Sequence, residues 1–277
     1  MKQKHILMVS LLAAFLLLSI IPVARILSDK PLFPGTAPYY HIRMASYIKE
    51  NNIPSEDPLV KKPYIPQPYH LLLILDPVIL SILLPLLAGL LSTIIFYLIL
   101  KELKIDKLTT SVILLTLILS PLFIYLFATS NQYSIITLLL LLGFYFFIKE
   151  NYYYLIPSIL IFAAMPFFGV LPSIIGLAAP LIYSLNNKSK LRYFYAILSA
   201  NILILLAYQL PFLYHYGFPF KTRFISTNIL TNLISDLGSS IGFGIFNLLL
   251  AIVGLAIVWK IKKQIEQKRF YPKQRNC

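Results

Sequence analysis

Between positions 78 and 100 the chain carries no charged side chain, and apolar runs of the same character recur along its length. A helix needs about 20 such residues to cross the hydrocarbon core of a bilayer, so these runs constrain the fold more than any motif does. They fall at 6–27, 78–100, 108–126, 134–148, 153–166, 168–185, 193–213 and 238–259. All are rich in Leu and Ile and lack the apolar–polar alternation of barrel strands. Inside lipid each segment must also satisfy its own backbone, which selects helices. Composition agrees, since 58% hydrophobic and 12% charged residues leave too little polar surface for a soluble globule. The expected fold is all-α: a polytopic integral membrane protein of about eight transmembrane helices, forming a single transmembrane domain over 1–277.

The first run, behind Lys2 and Lys4, exceeds the ~7–15 residues of a signal-peptide core and lacks a small-x-small cleavage site, so it reads as an anchor. The runs around Met165, Pro166 and Pro172 read either as two full spans or as one tight hairpin. Short cytoplasmic loops carry the excess of Lys and Arg, which orients the chain. With eight spans, Lys2, Lys4, Lys101, Lys104, Lys107, Lys149, Lys188, Lys190, Arg192 and the cations of the basic tail, 260–277, all fall on one side. The short turns 128–133 and 167–171 on the other side carry no Lys or Arg. The expected location is the cell membrane, multi-pass, with both termini cytoplasmic. The net charge of +14 is then largely topological, with the tail touching anionic membrane lipid, and no nucleic-acid partner is expected. One cysteine, Cys277, excludes an internal disulfide.

Two external segments are far longer than the ~2–8 residues that join neighbouring helices: the first loop, 28–69, and a second, 214–237. In the first, 39–51 reads as a short amphipathic helix. Tyr40, Met44, Tyr47 and Ile48 fall on one stripe and Arg43, Ser46 and Glu50 on the other, with Thr36 placed to cap it and Pro38 in its first turn. Such a helix lies along the membrane surface or serves as a packed connector. Pro54, Pro58, Pro63, Pro66 and Pro68 stiffen the return to the bilayer.

Gly35-Thr36-Ala37-Pro38-Tyr39-Tyr40-His41-Ile42-Arg43, with Tyr47-Ile48, Asn52-Ile53-Pro54 and Asp57-Pro58, resembles the first external loop of archaeal GT-C superfamily glycosyltransferases, including the catalytic subunit of oligosaccharyltransferase. The likeness extends more loosely to Ser235-Asp236-Leu237-Gly238. It implies a GT-C-like fold, a polyprenyl-phosphate-linked sugar as donor, and a loop carboxylate acting as base or as a ligand for Mn²⁺ or Mg²⁺. The chain departs from the pattern at Ala37, where the family's loop aspartate falls, and in the acid-free turn 128–133. It therefore reads as a shortened or degenerate relative.

Of the acids expected outside, Glu56 and Asp57 are the first candidates for catalysis and for a metal. Asp57 matches the family's Asp-Pro, although Asp-Pro is also ordinary turn chemistry. Asp29 could stand in for the missing aspartate, or is a solvated flank beside Lys30. Asp76, ahead of Pro77, reads as a helix cap. Arg43, Lys61, Lys62, His70, Lys221 and Arg223 are the candidate ligands of the carrier phosphate; Arg43 occupies the place of the family's arginine. His41 reads as a packed or hydrogen-bonded residue. Two other classes of function stay open: a non-catalytic membrane scaffold, and a transporter of a lipid-linked substrate. Against the transporter, the spans hold only neutral polar groups such as Asn201, Gln209 and Asn247.

Overall fold

A computed structural model describes residues 3–59, 61 and 64–216. The chain divides into one unit of residues 1–119 and 123–222 and another of 120–122 and 223–277; the first is described below. The expected last span, 238–259, most of the second long loop and the basic tail lie outside the described residues.

Helices account for every apolar run within reach. They are α1 (Gln3–Leu27), α2 (Ala37–Asn51), α3 (Pro68–Leu73), α4 (Pro77–Glu102), α5 (Lys107–Leu119), α6 (Pro121–Ala128), α7 (Gln132–Ile148), α8 (Leu155–Ala164), α9 (Val170–Gly176), α10 (Ala178–Asn186) and α11 (Leu191–Tyr216). Three stretches are long and apolar enough to cross a membrane: His5–Leu27, Pro77–Glu102 and Lys188–Leu210. The described part of the chain is thus all-α, with several membrane-spanning candidates, as a multi-pass protein requires.

Of the remaining runs, 134–148 forms the uninterrupted but shorter apolar helix Gln132–Ile148, and the others are broken where proline or glycine falls. The run at 108–126 is broken: α5 and α6 meet at 58°, so together they make a fourth candidate span only as a bent pair. Pro121 lacks the N–H that would continue the helix, and Ser120 is restricted by standing before it. The pair around Met165 becomes two apolar helices, Tyr152–Phe168 and Val170–Asn186, shorter than the three long stretches. Gly169 joins them at φ +128°, a conformation that side-chain-bearing residues rarely adopt. At about 1.5 Å per residue each reaches roughly 25 Å, short of the ~30 Å hydrocarbon core. At its end α11 runs on to Tyr216, past the start expected for the second loop.

Buried clusters show how the helices alternate between two ends. Ile6 packs with Tyr97, Leu100 and Leu114, while Leu18 packs with Ala88, Phe123 and Phe127, so α1 and α4 are antiparallel. Ile95 and Ile99 meet Ile148, bringing α4 and α7 to the same end. There Lys149 pairs with Glu102 at 2.6 Å. Asn201 Nδ2 donates to Phe162 O at 2.7 Å and ties α11 to α8. Meanwhile Leu12, Leu160 and Leu203 stay about 60% or more exposed, the surface expected against lipid rather than water.

Close approach of α1, α4 and α6 depends on Gly89. A Cβ there would lie 2.6 Å from Leu18 Cδ1 and 2.9 Å from Phe127 Cβ, and the latter is held close to its own backbone. Gly89→Ala is expected to destabilise the bundle by about 2 kcal/mol through overpacking, read as a lowered thermal midpoint in detergent.

Candidate functional site

The first loop folds into a cap built on α2 and α3. Pro38 sits in the first turn of α2, while Thr36 occupies the N-cap position in an α conformation without a side-chain hydrogen bond, so the expected side-chain cap is not formed. Asn52 ends the helix at φ +67° and ψ −178°, a conformation that side-chain-bearing residues rarely adopt. One face of α2 is buried through His41, Met44, Ala45 and Ile48, against α3, α4 and the returning chain. Arg43, Lys49 and Glu50 lie on the exposed side. Met44 and Ile48 pack with Tyr64, and Ala45 packs with Tyr69 and Leu73. On this face the helix packs as a connector does.

Inside the cap lies a chain of polar aromatic groups. Tyr64 Oη and His70 Nδ1 are 2.7 Å apart, and His70 Nε2 and His41 Nδ1 are 2.8 Å apart. The backbone of Gln67 also hydrogen bonds the Tyr64 phenol. The three rings thus form a continuous hydrogen-bonded chain, Tyr64–His70–His41, whose proton direction follows the histidine tautomers. His70 is fully buried and His41 is 8% exposed. Burial disfavours the charged imidazoles and pushes His41 down to about 4. Burial, reinforced by His41, pushes His70 to about 3 against the opposing influence of Asp57. Both rings are neutral near pH 7.

Beside this chain Tyr40 Oη donates to Asp57 Oδ2 at 2.6 Å, and Leu59 N donates to Asp57 Oδ1 at 2.8 Å. Burial and then the Asp57 carboxylate raise the Tyr40 phenol well above its ordinary range. Tyr69 Oη and Ser130 Oγ are 2.8 Å apart, so the turn at 128–133 docks on α3. Tyr208 of α11 donates to Pro66 O at 2.9 Å, and Lys49 reaches Leu75 O at 3.0 Å. The cap is thus hydrogen-bonded to elements on several sides.

The candidates distribute unevenly over this frame. Asp57 is buried, 5% exposed, whereas Glu56 beside it is exposed. A cation bridging the two would require Asp57 to turn away from Tyr40. Among the described residues no group of three or more His, Cys, Asp and Glu side chains is placed to hold a metal ion. Asp29 is exposed just beyond α1 at φ +52°. Asp76 caps α4, accepting from Val78 N at 3.2 Å and Ile79 N at 3.0 Å. Arg43 and Lys61 are exposed and open to an anion; His70 is buried in the hydrogen-bonded chain and is not. Lys62, Lys221 and Arg223 lie outside the described residues.

Comparison with models of protein families, with characterised protein sequences and with solved structures gives no match to this chain. The site therefore rests on its own geometry. Sequence reading missed two features of it. His41 and His70 stand 29 positions apart, and no local pattern announces their pairing. The side-chain oxygens of Gln67 and Gln132 are buried without a hydrogen-bond partner, each two residues from the bonded pair Tyr69–Ser130.

Proposed function

We propose that this chain is an eight-span, GT-C-like membrane protein, with both termini cytoplasmic, that binds a polyprenyl-phosphate-linked sugar on its first external loop. In this reading Asp57 builds the cap and does not act on the substrate. The observation that carries it is the burial of Asp57 under Tyr40 while Arg43, on the same helix as Tyr40, stays exposed. A buried carboxylate that already accepts hydrogen bonds is poorly placed to take a proton from an acceptor. An exposed guanidinium suits a phosphate, because its planar fork matches two phosphate oxygens. Lys61 adds a second positive charge on the same loop. Carrier recognition without loop-carboxylate catalysis agrees with Ala37 in place of the family's aspartate.

The transporter reading is weaker. Asn201 is engaged with Phe162 O as a tie between helices and is not presented to a pathway. Nothing in the described residues favours the scaffold over a binding protein.

The test is titration of the purified full chain with a polyprenyl-phosphate sugar donor, with and without Mg²⁺ or Mn²⁺. Binding is expected without either ion, and Arg43→Ala is expected to weaken it about tenfold, the loss of one charge-assisted bidentate contact. Glu56→Gln should leave affinity within about twofold. Binding that requires the ion and collapses in Glu56→Gln would restore the metal-dependent enzyme. Absence of binding under all conditions would leave the scaffold.

A further inference from the structure

The end of the bundle opposite the cap carries an ordered cluster of cations and tyrosines. Lys149, at the end of α7, pairs with Glu102 and lies 4.9 Å from the Tyr145 ring centroid. Lys190 donates to the carbonyls of Phe147 and Lys149, satisfying acceptors left open at the end of α7. Arg192 lies over the Tyr193 ring at 4.8 Å, and its Nη2 donates to Tyr193 Oη at 2.9 Å. Tyr193 in turn meets Tyr152, with ring centroids 6.4 Å apart.

Two of these charges are used inside the fold, and two nearby are not. Lys149 has its carboxylate and Lys190 its carbonyls, whereas Lys188 and Arg192 are exposed. The first turn of α11 contributes no acid to balance them, and Glu150 is the remaining exposed carboxylate close to Lys190. Tyr152 is 62% and Tyr153 77% exposed, just where apolar helices begin. Tyrosines at that position mark the level of the lipid headgroups, an apolar ring below and a hydroxyl above. Two exposed cations at that level, Lys188 and Arg192, are complementary to an anion in the same plane.

We propose that this end of the bundle binds the headgroup of an anionic phospholipid, with Lys188 and Arg192 contacting its phosphate and Tyr152 and Tyr153 flanking it at the interface. The inference is independent of the carrier site, since it concerns other residues at the opposite end. Lys149 and Lys190 have a positioning role: they tie the end of α7 to the end of α4 and to the start of α11. Arg192 is stacked on that ring, which limits the freedom lost when a lipid binds.

The test uses the full chain in phosphatidylcholine nanodiscs with an increasing fraction of phosphatidylglycerol, read as thermal midpoint and as lipid retained in native mass spectrometry. Phosphatidylglycerol is expected to raise the midpoint and to be retained preferentially. Lys188→Gln/Arg192→Gln is expected to shift the titration by about 25-fold, roughly fivefold for each cation removed. Lys101→Gln/Lys107→Gln, which removes two exposed cations elsewhere on the same end, should leave it unchanged. Equal loss in both double variants would reduce the effect to general surface charge and overturn the site. So would an equal rise produced by inorganic phosphate in lipid-free detergent, or no preference for the anionic lipid.

Discussion

His70→Ala is expected to detach the first-loop cap at a cost of about 3–4 kcal/mol, enough to raise hydrogen exchange across 37–51 and 64–73 by two to three orders of magnitude. Three losses combine. Removing a fully buried ring leaves a cavity, and Tyr64 Oη and His41 Nδ1 each lose a hydrogen-bond partner. The neighbours close around His70 on every side, with Tyr40 at 5.6 Å and Tyr64 at 5.9 Å between ring centroids, so little collapse can fill the space. Exchange in α4 and α7 should change far less, because their packing with each other does not pass through the cap. His70→Gln, which retains a donor and an acceptor, should recover part of the protection. Unchanged protection in His70→Ala would mean that the hydrogen-bonded chain does not hold the loop.

Acidification should act on the same element. In the detached loop both histidines titrate near the ordinary 6.5, whereas in the folded cap they are pushed down to about 4 and 3. A depressed histidine binds its proton preferentially when released, so its contribution is complete above about pH 6.5 and is lost as pH falls toward the folded values. Between pH 7 and pH 5 the cap should lose roughly 2 kcal/mol per histidine. The groups facing the pair do not reverse this sign. Burial pushes Tyr64 and Tyr69 up to about 12, so both remain neutral phenols throughout, and Asp57 favours the charged imidazole only as a lesser influence. Near-UV circular dichroism of the tyrosines, followed from pH 7.5 to 5, should show the cap loosening below about pH 6 with the helical far-UV signal retained. A His41→Asn/His70→Gln variant should be flat over that range. A wild-type profile equally flat would contradict the burial of the pair.

Much of the scaffold was legible because membrane helices announce themselves by length and apolar content. The boundaries of α1, α4, α7 and α11 follow the apolar runs closely, and Asp76 was readable as a cap because its side chain needs only the next two or three amides. The break at Pro121 was equally present in the sequence, but an uninterrupted apolar run hides it. Thr36 illustrates the opposite failure: a good capping residue in the right place whose backbone enters the helix early, leaving its hydroxyl unused.

The site was legible only in part, since its contacts are non-local. Asp57 was read both as a family carboxylate and as a turn aspartate, and its bond to Leu59 N, two residues on, is the turn chemistry. What removed it from solvent was Tyr40, 17 positions earlier, which spacing alone does not reveal. His70 looked like a phosphate ligand because a histidine in a polar loop is usually accessible. Its burial depends on Tyr64, His41 and the docking of α3, contacts that the fold alone brings together.

The central claim is that the first loop is a prebuilt cap for a lipid-carried phosphate, and photocrosslinking tests it most directly. The full chain in nanodiscs would be irradiated with a polyprenyl phosphate carrying a diazirine near its headgroup, and the labelled peptides mapped by mass spectrometry. The expected result is labelling concentrated within 37–61, competed by unlabelled polyprenyl phosphate and reduced in Arg43→Ala. Labelling spread over the bundle, or concentrated at the Lys188–Arg192 end with none on the loop, would contradict the claim.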